Sequence, residues 1–207
     1  IPQKPAPVSV PELFLDIMNR SAAFDILPDG PAMPLPHLTI LQRQISRAMR
    51  RNGAEYALHY DEPRGLPALR AQLANHYRTL GMPLETDDFC ITAGCQHALF
   101  LALKACCQPG DTVAVEHPAF YGTLQLLQQL QLKVLEIPTT ATGGMDVTSL
   151  EIALEKWPVK ACLVTPAYAT PTGACMPFLA RQHLIALANQ YQLAVIEDDI
   201  YGDLGFN

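Results

Sequence analysis

A carboxylate and a phenol, Asp198 and Tyr201, follow an apolar, β-branched run in Leu193-Ala-Val-Ile-Glu-Asp-Asp-Ile-Tyr-Gly-Asp-Leu204. At the carboxyl end of a parallel strand, that pair suits a pyridine-type ring. The carboxylate keeps the ring nitrogen protonated, so that the ring draws electrons, and the phenol meets a ring hydroxyl. The plainer reading of the acid is a helix cap or a loop charge.

Three further fragments bear on that choice. Thr92-Ala-Gly-Cys-Gln-His-Ala-Leu99 passes from a strand end through Gly94 directly into a helix. The amides of Cys95 and Gln96 then point outward as an anion site suited to a phosphate, although many such glycine turns serve packing alone. Glu116-His-Pro-Ala-Phe-Tyr-Gly-Thr123 places aromatic rings after another strand. There Phe120 lies flat on a planar ligand, or is simply a core or lid ring. Thr165-Pro-Ala-Tyr-Ala-Thr-Pro-Thr-Gly173 is a loop punctuated by proline and glycine, which by itself reads as a rigid turn. Each of the four fragments follows a different strand, so all four are expected along one sheet edge.

The elements that position them alternate. Strands are predicted over Phe89–Thr92, Thr112–Val115, Lys133–Ile137, Ala161–Val164 and Leu193–Glu197. Between them, helices are predicted at about Cys95–Cys107, Gly122–Leu130, Val147–Trp157 and Pro177–Tyr191. Strict alternation means right-handed crossovers and an α/β fold, a mostly parallel sheet with helices on both faces. In such a sheet, ligands gather beyond the carboxyl ends of the strands. Upstream, Leu38–Arg51 and Leu66–Leu80 carry apolar residues at helical spacing, the second stopped by Gly81 and Pro83. Ile1–Val10 is proline-rich and reads as an extended arm or linker end, Pro11–Arg20 as a short helix, and residues 21–36 as an irregular crossing segment. The domain reading is thus an arm and crossing segment over 1–36 and an incomplete large domain over 37–207.

Bulk properties exclude several classes. With 207 residues, 49% hydrophobic and 16% charged, the chain reads as a folded domain with a good core. A net charge of -6 argues against this chain wrapping nucleic acid by itself. Arg43, Arg47, Arg50 and Arg51 cluster near one predicted helix end, as favourable C-terminal helix charges on a solvated face would. No apolar run is long enough to span a bilayer, and no signal-peptide pattern opens the chain. Six cysteines without a C-x-x-C pair read as reduced, buried small hydrophobes of a cytosolic protein, and no metal site is expected. The start at Ile1 rather than at a methionine reads as a piece of a longer product.

On these motifs the chain resembles the fold-type-I, pyridoxal-phosphate-dependent aminotransferase family of class I/II, from about residue 8 onward. It is most similar to the aminotransferase-like domain of MocR-type regulators in the GntR family. His59-Tyr-Asp-Glu-Pro-Arg-Gly-Leu-Pro-Ala-Leu-Arg70 looks like the family's Y-x-x-P-x-G-x-x-x-L-R segment. The resemblance implies that Tyr60 reaches the cofactor phosphate of the neighbouring subunit in a homodimer. It likewise implies that Gly94, Cys95 and Gln96 form the phosphate cup, that Phe120 stacks on the ring, that Asp198 meets the pyridine nitrogen and that Tyr201 lies near the ring hydroxyl. Phe120-Tyr-Gly-Thr-Leu-Gln125, Pro158-Val-Lys-Ala-Cys162 and Glu197-Asp-Asp-Ile-Tyr-Gly-Asp203 carry the likeness to the regulator branch.

Two departures stand out. The family's N-P-T-G loop reads Thr170-Pro-Thr-Gly, so a shorter hydroxyl replaces the amide that would bond the ring hydroxyl. The Schiff-base lysine expected after the aspartate strand, and a later carboxylate-binding arginine, do not occur before Asn207; Lys4, Lys104, Lys133, Lys156 and Lys160 all lie upstream. The resemblance therefore implies that these residues alone neither bond the cofactor covalently nor run transamination. The expected function is a cytoplasmic effector domain that binds pyridoxal phosphate and an amine or amino acid, with DNA contacted through a winged helix outside this chain. The alternatives are part of a free-standing aminotransferase and a fragment without ligand.

Overall fold

Side-chain alternation along the strands builds one of the two compact units into which the chain divides. The computed structural model describes residues 4, 6–7, 36–52, 60 and 62–205. One unit is Ala93–Asn207 joined by Ile1–Pro11, and the other is Glu12–Thr92.

In the first unit the strands are β1 Ala6–Pro7, β2 Thr112–His117, β3 Lys133–Thr140, β4 Gly144–Met145, β5 Ala161–Val164 and β6 Ala194–Glu197. Among the described residues the sheet runs β1-β3-β2-β5-β6, with β4 paired to β3. β3, β2, β5 and β6 are mutually parallel, as the alternation predicts, while β1 and β4 pair with β3 in the antiparallel sense. Register brings the strand ends level: His117 faces Pro138 across β2 and β3, and Val164 faces Glu197 across β5 and β6.

The helices of this unit are α3 Cys95–Cys106, α4 Tyr121–Gln129, α5 Val147–Lys156 and α6 Phe178–Tyr191, numbered after two helices of the other unit. Successive strand residues enter opposite cores. Val113, Val115, Ala161 and Leu163 pack with Leu99 and Leu103 of α3 and Leu127 of α4. Ala114, Leu135, Ile137, Cys162 and Val164 pack with Leu150 and Leu154 of α5 and Leu184 and Leu187 of α6. A sheet buried on both faces needs continuous apolar strands, and the centres of β2 and β5 are buried throughout. Asp146 caps α5 by accepting the Thr148 amide at 3.2 Å.

The second unit holds α1 Pro36–Asn52, α2 Pro67–Thr79 and a 3-10 turn at Thr86–Asp88. Arg50 and Arg51 close α1, where cations offset the exposed carbonyl end of a helix. Arg70, 5% exposed, organises the rest. It donates to Gly65 O at 3.1 Å, Thr86 O at 3.2 Å, Asp87 Oδ1 at 3.2 Å and Glu62 Oε2 at 2.9 Å. Gly65, at φ +90, leaves no room for a side chain, because a Cβ there would sit 2.5 Å from Ile91.

Several expectations change. Phe89–Thr92 is not a strand: the Ile91 amide bonds Arg64 O at 2.9 Å, so that backbone is spent on a loop rather than a ladder. β2 outruns its predicted end because the parallel ladder continues through Glu116 and His117, polar residues at which a hydrophobic pattern stops, and β3 does so because Pro138 faces His117 and Thr139 and Thr140 pair with β4. The two-residue β4 has no pattern long enough to detect. Within the expected arm, Ala6–Pro7 is a strand on the β3 edge; the helix expected at Pro11–Arg20 lies outside the described residues, as does the crossing segment apart from Pro36. Cysteine burial is also narrower than expected: all six thiols are free, but only Cys107 and Cys162 are buried, while Cys90 and Cys175 are exposed. No helix among the described residues is long and apolar enough to cross a membrane.

Candidate functional site at the strand ends

Gly94 occupies the N-cap of α3 at φ +95, with nothing within 4 Å of the position a Cβ would take. The first turn carries no acidic residue, and no side chain caps it from Gly94. The amides of Cys95 and Gln96 stand where a helix has no preceding carbonyls to bond, at the positive end of its dipole. His97 steadies the entry by accepting the Ala93 amide on Nδ1 at 3.2 Å, a role its position alone did not reveal.

Cys95 points back across the sheet end. Its Sγ donates to Asp198 Oδ1 at 3.4 Å, joining residues far apart in the chain. Asp198 is 9% exposed, and its amide extends the β5–β6 ladder by bonding Val164 O at 2.9 Å. Burial, and then the Asp198 charge and hydrogen bond, push the Cys95 thiol up to about 11, so it stays a neutral donor.

Phe120 is the N-cap of α4, with its ring turned toward the first turn of that helix. A Cβ at Gly122 would meet Phe120 Cε1 at 2.6 Å and Gln96 Nε2 at 3.1 Å, so ring, amide and glycine backbone share one small space. Tyr121 lies beside Phe120, with ring centroids 4.3 Å apart. The loop after β5 carries Tyr168 at φ 53. The Tyr168 phenol reaches the segment after β6, where a Cβ at Gly205 would be 3.1 Å from its oxygen.

The structure thus brings Cys95 to Asp198, and Gln96 and Phe120 both to Gly122. Thr170 and Tyr201 lie on the loops after β5 and β6 and are both exposed, Tyr201 at 37%. Among the described residues, no hydrogen bond links either of them to Asp198. Tyr60 belongs to the Glu12–Thr92 unit and is exposed there.

Glu116 was not singled out from sequence. It is 8% exposed, and its two oxygens accept the Met145 amide at 3.2 Å and the Thr165 amide at 3.1 Å. Burial raises its carboxyl above the ordinary range, and the two amide bonds offset that only in part. An acid one residue before the end of a buried strand was the available signal.

Residues 34–207 match the family model for aminotransferase class I and II. The chain is 37% identical to the uncharacterized HTH-type transcriptional regulator YjiR of Escherichia coli over 205 residues, 98% of this chain and 43% of that protein. It is 36% identical to the uncharacterized HTH-type transcriptional regulator YdcR of the same organism over 202 residues, 96% of this chain and again 43% of the relative. Among solved structures, it superposes with a TM-score of 0.69 and 28% identity on LysN, the α-aminoadipate aminotransferase of Thermus thermophilus, solved with N-(5'-phosphopyridoxyl)-L-leucine. That match covers 82% of this chain and 42% of the other. The chain therefore spans less than half the length of these relatives.

Proposed function

The chain belongs to the aminotransferase class I and II family, and from that premise we propose that it is the pyridoxal-phosphate-binding effector domain of a DNA-binding transcriptional regulator. The observation that carries the regulator reading is identity of 37% and 36% to two HTH-type regulators along nearly the whole chain, against 28% to LysN. DNA contact falls to a winged helix outside these residues. The acidic charge of -6 suits a domain that leaves DNA to another module. Cytoplasmic location and a homodimer complete the proposal.

The residues at the strand ends fit the cofactor. Open space before an uncapped, acid-free first turn suits a phosphate at Cys95 and Gln96. Asp198, almost fully buried and bonded to a neutral thiol, can hold a proton on a ring nitrogen. Phe120 would cover the ring, Thr170 and Tyr201 would serve the ring hydroxyl, and Tyr60 would come from the partner subunit. When bound, pyridoxal phosphate supplies an electron-withdrawing pyridinium for chemistry on an amine or amino acid. The protein's part is to bind, orient and keep that ring protonated.

The test is a mobility-shift titration of the complete protein on its own promoter DNA, with and without pyridoxal phosphate. A several-fold change in DNA affinity supports the effector reading, and identical curves overturn it. The likeness to LysN favours a second reading, part of a free-standing aminotransferase. Amino-group transfer by a complete protein that has no DNA affinity would establish that alternative.

A further inference from the structure

Two side chains on different elements grip the base of the loop Thr165–Gly173. Glu116, near the end of β2, accepts the Thr165 amide through Oε2 and the Met145 amide through Oε1. Arg181, in the first turn of α6, donates Nε to Met176 O at 3.0 Å and Nη2 to Pro166 O at 3.1 Å. The Met176 amide also bonds Pro166 O at 2.9 Å and closes the loop. One acid therefore serves an amide entering the loop, while one guanidinium serves the carbonyls where the loop shuts.

The ladder cannot do this work. The β2–β5 pairing ends at Val115 and Leu163, and the β5–β6 pairing at Val164 and Glu197. Thr165 is the first residue past both, so its amide needs a side-chain partner. Glu116 supplies it from a neighbouring strand, and its second oxygen ties in β4 at Met145. Burying a carboxylate is unfavourable unless hydrogen bonds offset the lost hydration. Two amide bonds do so only partly here. What Glu116 supplies is geometry: it ties the Thr165 and Met145 amides to the end of β2.

We propose that Glu116 and Arg181 are positioning residues that fix the Thr165–Gly173 loop, and through it the placement of Thr170 beside the strand-end site. The proposal rests on the pyridoxal phosphate reading of that site. A glutamine at 116 keeps the shape but turns an amide group with one acceptor oxygen toward two backbone donors. One donor loses its partner, and the loop base loosens while both cores stay intact.

The decisive experiment compares Glu116→Gln, Thr170→Val and their combination in the complete protein. It reads pyridoxal phosphate affinity by visible absorbance and amide hydrogen exchange by mass spectrometry. Glu116→Gln is expected to weaken the cofactor about tenfold, roughly the loss of one good hydrogen bond. It is expected to speed exchange across the loop and to lower the melting temperature by only a few degrees, as one unpaired amide would. Once the loop is misplaced, adding Thr170→Val should weaken binding little further, because residues acting through one element couple. Arg181→Met, on an exposed helix face, tests the same loop without a buried change, and Arg181→Lys should recover part of the loss. Fully additive losses, or unchanged loop exchange in both Glu116→Gln and Arg181→Met, would overturn the proposal. Failure of the unaltered protein to bind pyridoxal phosphate would sink the cofactor reading instead, and the exchange data would then judge the clamp by themselves.

Discussion

In the Glu12–Thr92 unit, Arg70 finds Glu62, Gly65, Thr86 and Asp87 within 17 residues along the chain. At the strand ends of the other unit, Cys95 meets Asp198 across 103 residues. The first region is a local motif read in one stretch, whose glycine and arginine serve to hold a loop against a helix. The second has no compact motif, since its chemistry comes from loops that only the sheet brings level. A continuous signature here reports scaffolding, while the candidate site is spread over the chain. Tyr60, which opens that segment, is fully exposed.

That contrast can be broken or sharpened by substitution, and the largest effect is expected at Gly65. Gly65→Ala combines an unfavourable φ of +90 with a Cβ 2.5 Å from Ile91. It should destabilise the protein by about 3 kcal/mol, read from the urea midpoint. A loss below ~1 kcal/mol would show that the local region relaxes easily and would weaken the scaffold reading.

Arg70→Met comes next, at about 2 kcal/mol. The loss should come from the carbonyls of Gly65 and Thr86, because Glu62 and Asp87 are 57% and 84% exposed and such pairs contribute little. If Glu62→Gln alone reproduced the whole effect, the ion pair and not the carbonyl grip would be the anchor.

At the strand ends, Asp198→Asn should weaken pyridoxal phosphate about tenfold, roughly 1.4 kcal/mol, with stability little altered. The same variant has a pH signature. With its pKa raised from 9.0 to about 11, the Cys95 thiol is protonated at neutral pH and reacts slowly with alkylating agents, faster as pH climbs toward that value. Removing the Asp198 charge lowers the thiol pKa, so alkylation at a fixed pH should accelerate. An unchanged alkylation profile would mean that the thiol and the acid do not meet in solution.

The smallest effect is expected at Gly94. Gly94→Ala carries the positive φ but meets nothing within 4 Å, so it should cost about 1 kcal/mol, well short of Gly65→Ala. Equal losses at the two glycines would erase the distinction between a crowded scaffold and an open cradle.

Most of the fold was legible because buried strands and helices of several turns carry patterns that side chains must obey. Ala161–Val164 and Phe178–Tyr191 follow that rule almost to the residue. The misreadings lie where hydrogen bonds, not hydrophobicity, decide. Phe89–Thr92 has a strand's composition but gives its Ile91 amide to Arg64. β2 and β3 continue through polar residues because a neighbouring strand supplies partners. In the candidate site, Phe120, Thr170, Asp198 and Tyr201 follow strands as expected, whereas Gly94, Cys95 and Gln96 follow a loop and Tyr60 belongs to the other unit. Glu116 was hidden because a buried acid and a surface acid look alike in a sequence.

The amino-acid order by itself determined the α/β alternation and which residue types stand at the tips of the strands, since burial on two faces dictates the spacing of apolar side chains. Only the tertiary structure decided the pairings: Cys95 on Asp198, Gln96 and Phe120 both against Gly122, and Glu116 turned inward to two amides. Those contacts depend on strand register and loop closure, which are set by hydrogen bonds between distant segments and leave no periodic trace along the chain.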